Sequence, residues 1–236
     1  MTSILAFDTS GPQCAVALMV NGAIAAERQE DMTRGQAERL FPMFDEVLAE
    51  VGAVWEELDA LAVGTGPGNF TGIRISVSAA RGLALSLGVP AIGVSGFEAL
   101  RGERFLDDTD PMLVSLPSTR RGMDVILQYY ETAAPLGAPV DLAIFGKGVI
   151  DPDFKGFPRV AHVLGHEAPA VDVAVQDEQG EYTWLEFGER YPHIEQIAKV
   201  AAKRLESGQT LDRPAPLYAR AADAAPSRDL PPPILP

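Results

Sequence analysis

Hydrophobic and polar positions in the first hundred residues alternate in a way that predicts strands and helices one after another. Residues 3–8 are a short apolar run that ends in the carboxylate of Asp8. Residues 14–20 form a second run and lead into Asn21-Gly22, a pair suited to a two-residue hairpin because both positions accept a positive φ. Residues 23–29 return as a third strand, so the pattern predicts an opening meander. Residues 36–51 then switch to helical spacing. Leu40, Phe44, Val47, Leu48 and Val51 share one stripe, and Glu38, Asp45, Glu46 and Glu50 lie away from it. Phe41 and Met43 fall partly off the stripe, which means either a wide core-facing surface or contact beyond the chain's own core. Pro42 cannot donate to the carbonyl of Glu38, so the pattern predicts a helix that begins near Arg39 or is kinked at Pro42.

The sharpest local signal is Gly64-Thr65-Gly66-Pro67-Gly68-Asn69-Phe70-Thr71-Gly72-Ile73-Arg74. It follows a buried-strand run at 58–63 and precedes a helix at 71–87, with Thr71 as its expected N-cap. Its four glycines allow two readings. One is an anion cradle, because free amides and the helix dipole face outward at such a turn. The other is a tight turn that lets helix and strand pack closely. The stretch matches neither the phosphate loop that ends in Gly-Lys-Ser/Thr nor the Gly-x-Gly-x-x-Gly spacing. The helix after it is rich in small residues, Ser76 and Ser78 among them, which let another helix approach. Arg74 and Arg81 share a face there and could pair with acids of the first helix, meet a partner, or form a solvated edge. A strand at 90–94 follows, then Ser95 with Glu98 three positions on, the spacing of a capping box.

The second half is thinner in signal. Residues 112–116 and 124–130 read as a strand pair around Ser118-Thr119-Arg120-Arg121-Gly122, with further strands at 142–145 and 160–164. Gly146-Lys147-Gly148 reads as a β-turn, and Asp107-Asp108 as part of a solvated charged loop. His162 and His166 would face one metal on a helix, but the run ending in Gly165 reads as a strand, where they stand ~13 Å apart. Residues 192–206 form an amphipathic helix. Residues 214–236 hold seven of the 19 prolines, although Leu217-Tyr218-Ala219 is apolar enough to dock on the body. The expected organisation is an N-terminal lobe at 1–104, a smaller lobe at 105–213 and a proline-rich tail at 214–236.

A hydrophobic content of 47% supports a sizeable core. The net charge of −14 argues against direct nucleic-acid binding, because phosphate contacts need Lys and Arg. Cys14 is the only cysteine and reads as a core residue. Without a signal-like amino terminus or a membrane-length apolar run, the expected location is cytoplasmic, away from membranes. No Gly-x-Ser-x-Gly elbow or other recognisable reaction centre is present.

Gly66-Pro67-Gly68-Asn69-Phe70-Thr71-Gly72-Ile73-Arg74 with Arg81-Gly82-Leu83-Ala84 resembles the TsaB (YeaZ) family. So do Ile4-Leu5-Ala6-Phe7-Asp8-Thr9-Ser10, Glu38-Arg39-Leu40-Phe41-Pro42-Met43 and the terminal Pro216-Leu217-Tyr218-Ala219-Arg220. The resemblance is dense over 3–98 and implies an α/β actin-like ATPase (ASKHA, ribonuclease H-like) fold, two similar lobes with mixed sheets flanked by helices. It makes Asp8, Thr9 and Ser10 a degenerate phosphate loop. It departs at 117–125, where the family's leading Asp and following Glu-Val-Tyr are altered. The implied function is a non-catalytic subunit in the synthesis of N6-threonylcarbamoyladenosine in tRNA. Its implied partners are a TsaD-like catalytic subunit and a TsaE-like ATPase, with tRNA met only indirectly. The interface would use Leu40, Phe41, Phe44, Val47, Leu48, Arg74, Ser78 and Arg81, and the same helices would support self-association. No catalytic residue, metal site or firm cofactor is implied in this chain; the resemblance leaves room for ATP and Mg²⁺ at the partner or at a partner interface. The alternative is an ATP-dependent transferase or kinase of actin-like fold acting by itself.

Overall fold

The structure is a computed structural model that describes residues 2–102, 111–132, 134–145, 148–149, 162–179, 184–187, 191–208 and 210–219. In chain order its strands begin with β1 (Ser3–Asp8), β2 (Gln13–Val20), β3 (Ala23–Asp31), β4 (Ala60–Gly64) and β5 (Ala91–Val94). They continue with β6 (Met112–Pro117), β7 (Val125–Tyr130), β8 (Val140–Leu142), β9 (Ile144–Phe145), β10 (Gly148–Val149), β11 (His162–Gly165) and β12 (Trp184–Phe187). The helices are α1 (Gln36–Val51), α2 (Phe70–Leu87), α3 (Gly96–Arg101), α4 (Ala168–Gln179) and α5 (Ile194–Glu206).

Two five-stranded sheets repeat one plan. The first runs β3-β2-β1-β4-β5 and the second β8-β7-β6-β11-β12, with β9 and β10 as a separate pair. In each, three antiparallel strands join two parallel ones. α2 connects β4 to β5 as α4 connects β11 to β12, the helical crossover that parallel neighbours require. This is the two-lobed actin-like α/β architecture, and the duplication lies in topology rather than in any readable sequence repeat.

Side-chain alternation explains why β1 and β2 read as unbroken apolar runs: both faces are covered. Leu5, Phe7, Cys14, Val16 and Leu18 meet Leu40, Phe44 and Val47 of α1 and Ile73 and Val77 of α2. Ile4, Ala6, Ala15 and Ala17 face the other way, against Ile194, Ile197, Ala198 and Ala201 of α5. Small alanines on that side admit α5 close to the sheet. Thus α5, although it follows the second sheet in the chain, packs on the first. α3 crosses in the opposite sense: Phe97 packs with Met112, Val114 and Leu116 of the second sheet.

The meander forms with Asn21 at φ 52° and Gly22 at φ 80°. Ser95 and Glu98 cap α3 reciprocally, as their spacing predicts. Two expectations are corrected. α1 spans Gln36–Val51, the range its spacing predicts, and does not begin near Arg39: Arg39 N–H already reaches Gly35 O at 3.0 Å and so forms the first turn upstream of Pro42. The N-cap of α2 is Asn69, not Thr71: the Asn69 side chain accepts from the amides of Thr71 and Gly72, and Phe70 is the first helical residue. An amide oxygen two positions upstream reaches those amides, whereas Thr71 lies inside the turn that needs capping.

Candidate functional site

The glycine turn lies directly on the first β-turn. Asn69 N–H donates to Ser10 O at 2.7 Å, and Thr9 Oγ1 donates to Gly72 O at 2.7 Å. A Cβ at Gly68 would stand 2.2 Å from Ser10 O, and one at Gly72 1.9 Å from Thr9 O. Both glycines are therefore required by the approach of two backbones. The turn is further tied by Thr65 N–H to Val94 O and Gly96 N–H to Gly66 O, and its Gly66–Pro67 bond is cis.

Asp8 is 4% exposed. Its carboxylate accepts from Ser10 N–H and Ser10 Oγ, each at 2.9 Å, and burial pushes its pKa up against those hydrogen bonds. Here Asp8 serves the turn itself. A nucleotide phosphate would need outward amides at this place. The amides of Asn69, Thr71, Gly72 and Ile73 are all engaged within the chain. Asp8, Thr9, Ser10 and the glycine turn thus come together as a close backbone contact in which these four amides are already taken.

α2 presents the second feature. Arg74 lies over the Phe70 ring at 3.7 Å to the centroid and donates from Nε to Tyr218 Oη at 2.9 Å. The Phe70 and Tyr218 rings are 5.0 Å apart. Arg81 Nε donates to Pro214 O at 2.7 Å, and Leu217 N–H donates to Thr65 O at 2.8 Å. The two arginines therefore hold a C-terminal strap, residues 214–219, across the glycine turn. Leu217 and Ala219 pack against the Phe97 cluster, as the apolar Leu217-Tyr218-Ala219 run predicts. A cavity of about 330 Å³ beside the strap is lined by Thr65, Glu98, Arg204, Asp212, Arg213 and Pro214, with Arg204 paired to Glu98 inside it.

The candidate interface residues divide by burial. Leu40, Phe44 and Val47 are fully buried and Leu48 nearly so, all within the chain's own core, so these four side chains do not reach a surface. Phe41 is 49% exposed, and Arg74, Ser78 and Arg81 are exposed. Sequence reasoning missed Leu85, 86% exposed on α2, and Tyr218, 144 positions from the arginine it contacts. Leu85 could have been found as an apolar residue on α2's polar side; Tyr218 had only the terminal motif to mark it.

Other candidates resolve simply. His162 opens β11 and His166 follows it, and no cluster of metal-ligating side chains occurs among the described residues. Cys14 is a core residue whose thiol burial pushes up to about 11. In the divergent 117–125 segment, Ser118 Oγ donates to Asp141 at 2.7 Å beside the hairpin. Gly146, Lys147, Asp107, Asp108, Arg220 and the tail from 221 onward lie outside the described residues. No described helix is long and apolar enough to cross a membrane.

Fold and site together define an α/β protein of actin-like fold whose first β-turn is closed on its glycine turn. The family model described as "TsaD: tRNA N6-adenosine threonylcarbamoyltransferase" matches residues 28–207. A Haemophilus influenzae protein named "tRNA threonylcarbamoyladenosine biosynthesis protein TsaB" is 40% identical over 103 residues, 44% of this chain and 43% of the relative. The Escherichia coli protein of the same name is 44% identical over 92 residues, 39% of each chain. These matches span about two-fifths of the length of the curated relatives. A solved structure of YeaZ from Pseudomonas aeruginosa superposes with a TM-score of 0.69 at 25% identity, covering 92% of this chain and 100% of that one. The chain belongs to the TsaB (YeaZ) family, within the wider family that the TsaD model describes.

Proposed function

We propose that this chain is a non-catalytic subunit in the synthesis of N6-threonylcarbamoyladenosine in tRNA, docking on a TsaD-like catalytic subunit through the exposed side of α1 and α2. The observation that carries this reading is the closed contact of the first β-turn with the glycine turn, Thr9 and Ser10 against Gly68, Asn69 and Gly72, in a chain of this family. A turn that commits the amides of Asn69, Thr71, Gly72 and Ile73 to Ser10 O and to Asn69 suits a scaffold better than a nucleotide handler. The docking face is then Phe41, Arg74, Ser78, Arg81 and Leu85, all exposed. Nucleotide and metal belong to the catalytic subunit, with a TsaE-like ATPase as a further partner. The same face would pair two copies when the catalytic subunit is absent, since a two-fold dimer uses one patch twice. A net charge of −14 leaves contacts to the tRNA backbone to the partners, and the setting is cytoplasmic.

The test is to co-express the chain with the TsaD-like subunit of the same genome, purify the pair, and assay tRNA nucleosides by mass spectrometry. Co-purification and modification that requires both subunits are expected. Modified nucleoside, or steady ATP consumption, from the chain alone overturns the reading.

A further inference from the structure

Resting on that docking face, we infer that Tyr218 is a positioning residue for it: the C-terminal strap fixes Arg74 as an anchor that receives a carboxylate of the TsaD-like subunit. Arg74 is exposed, yet it is not loose. Its guanidinium lies on the Phe70 ring, and its Nε is committed to Tyr218 Oη. Nη1 and Nη2 have no hydrogen-bond partner among the described residues, so the guanidinium keeps two parallel donors uncommitted on its aromatic platform. That fork matches a carboxylate in two-point geometry, which a flexible ammonium cannot reproduce.

The strap makes the arrangement possible. Leu217 N–H to Thr65 O and Arg81 Nε to Pro214 O hold the strap backbone ahead of Tyr218, and Leu217 is packed into the Phe97 cluster. Tyr218 remains 37% exposed and Phe70 39% exposed, so the platform under Arg74 lies at the surface, where a partner can reach the guanidinium. Arginine, tyrosine and an aromatic neighbour are the residue types that dominate binding energy at interfaces. Pre-organisation removes the side-chain entropy that a free arginine would lose on docking. Against the chain's net charge of −14, an oriented arginine gives an acidic partner group a local point of attraction.

The test is a double-mutant cycle read in affinity for the purified TsaD-like subunit by calorimetry, with Arg74→Ala, Tyr218→Ala, the double variant, Tyr218→Phe and Arg74→Lys. Thermal melts check each variant, and Tyr218→Phe keeps the ring should Tyr218→Ala unfold. Arg74→Ala and Tyr218→Ala are each expected to weaken binding by about tenfold, and the double variant by no more than Arg74→Ala alone. Tyr218→Phe is expected to fall between, and Arg74→Lys to resemble Arg74→Ala. Normal affinity in folded Tyr218→Ala, or losses that multiply in the double variant, overturns the positioning role while leaving the docking face standing. Losses confined to self-association overturn the choice of partner. No binding by the unaltered chain overturns the docking face and this inference together.

Discussion

Asp8 shows how a residue type associated with nucleotide handling can be turned to a structural task. Its carboxylate is buried and held by Ser10, yet burial outweighs those bonds and raises its pKa. The folded state therefore binds the Asp8 proton more tightly than the unfolded chain does, for which the ordinary value is 3.8. By linkage, stability from this group is fully present below that value and is lost as pH rises through the higher folded pKa. Asp8→Asn keeps an acceptor for Ser10 N–H and removes the titration. Its unfolding free energy relative to the parent, from urea titrations at several pH values, is expected to improve from pH 4 to pH 7. A difference independent of pH would show that the folded turn holds Asp8 with no net preference for its protonated form.

At the scale of elements, α1 carries an evident cost. Pro42 is exposed inside it and leaves the Glu38 carbonyl without its helical donor. Pro42→Ala restores that donor without touching the buried stripe, and is expected to raise the unfolding free energy by roughly 1–3 kcal/mol in urea denaturation. What the sequence made legible follows the same logic of locality. The meander was readable because Asn21-Gly22 sets its turn, and α1 because Leu40, Phe44 and Val47 recur at helical spacing. The sheet covered by α5 was not readable: the periodicity of Ile194, Ile197 and Ala201 says that the helix has a partner, while the alanine face of β1 and β2 decides which. The glycine turn gave two meanings until Ser10 O and Thr9 O were placed against it. The Arg74–Tyr218 contact joins residues 144 positions apart, beyond any local pattern.

For the molecule as a whole, the question is which apolar groups hold the lobe together and which are left for another chain. Phe44 sits edge-on to Phe7, Phe41 and Trp55, with ring centroids 4.8, 5.4 and 5.6 Å away, and is fully buried. Phe41 covers its outer side and is half exposed, and Leu85 of α2 is almost bare. A charge at Phe44 must either be buried without a partner or open the core, a penalty of several kcal/mol that is a large part of a domain's stability. Phe44→Glu is therefore expected to give an unfolded or aggregating chain, by circular dichroism and gel filtration. Phe41→Glu combined with Leu85→Glu places both charges in water, so the melting temperature is expected to stay within a few degrees of the parent. The same double variant is expected to fail to co-purify with the TsaD-like subunit, because the apolar part of the docking face is gone. Retained co-purification by that folded variant would move the docking surface off α1 and α2, and folded but unpaired Phe44→Glu would contradict the core assignment itself.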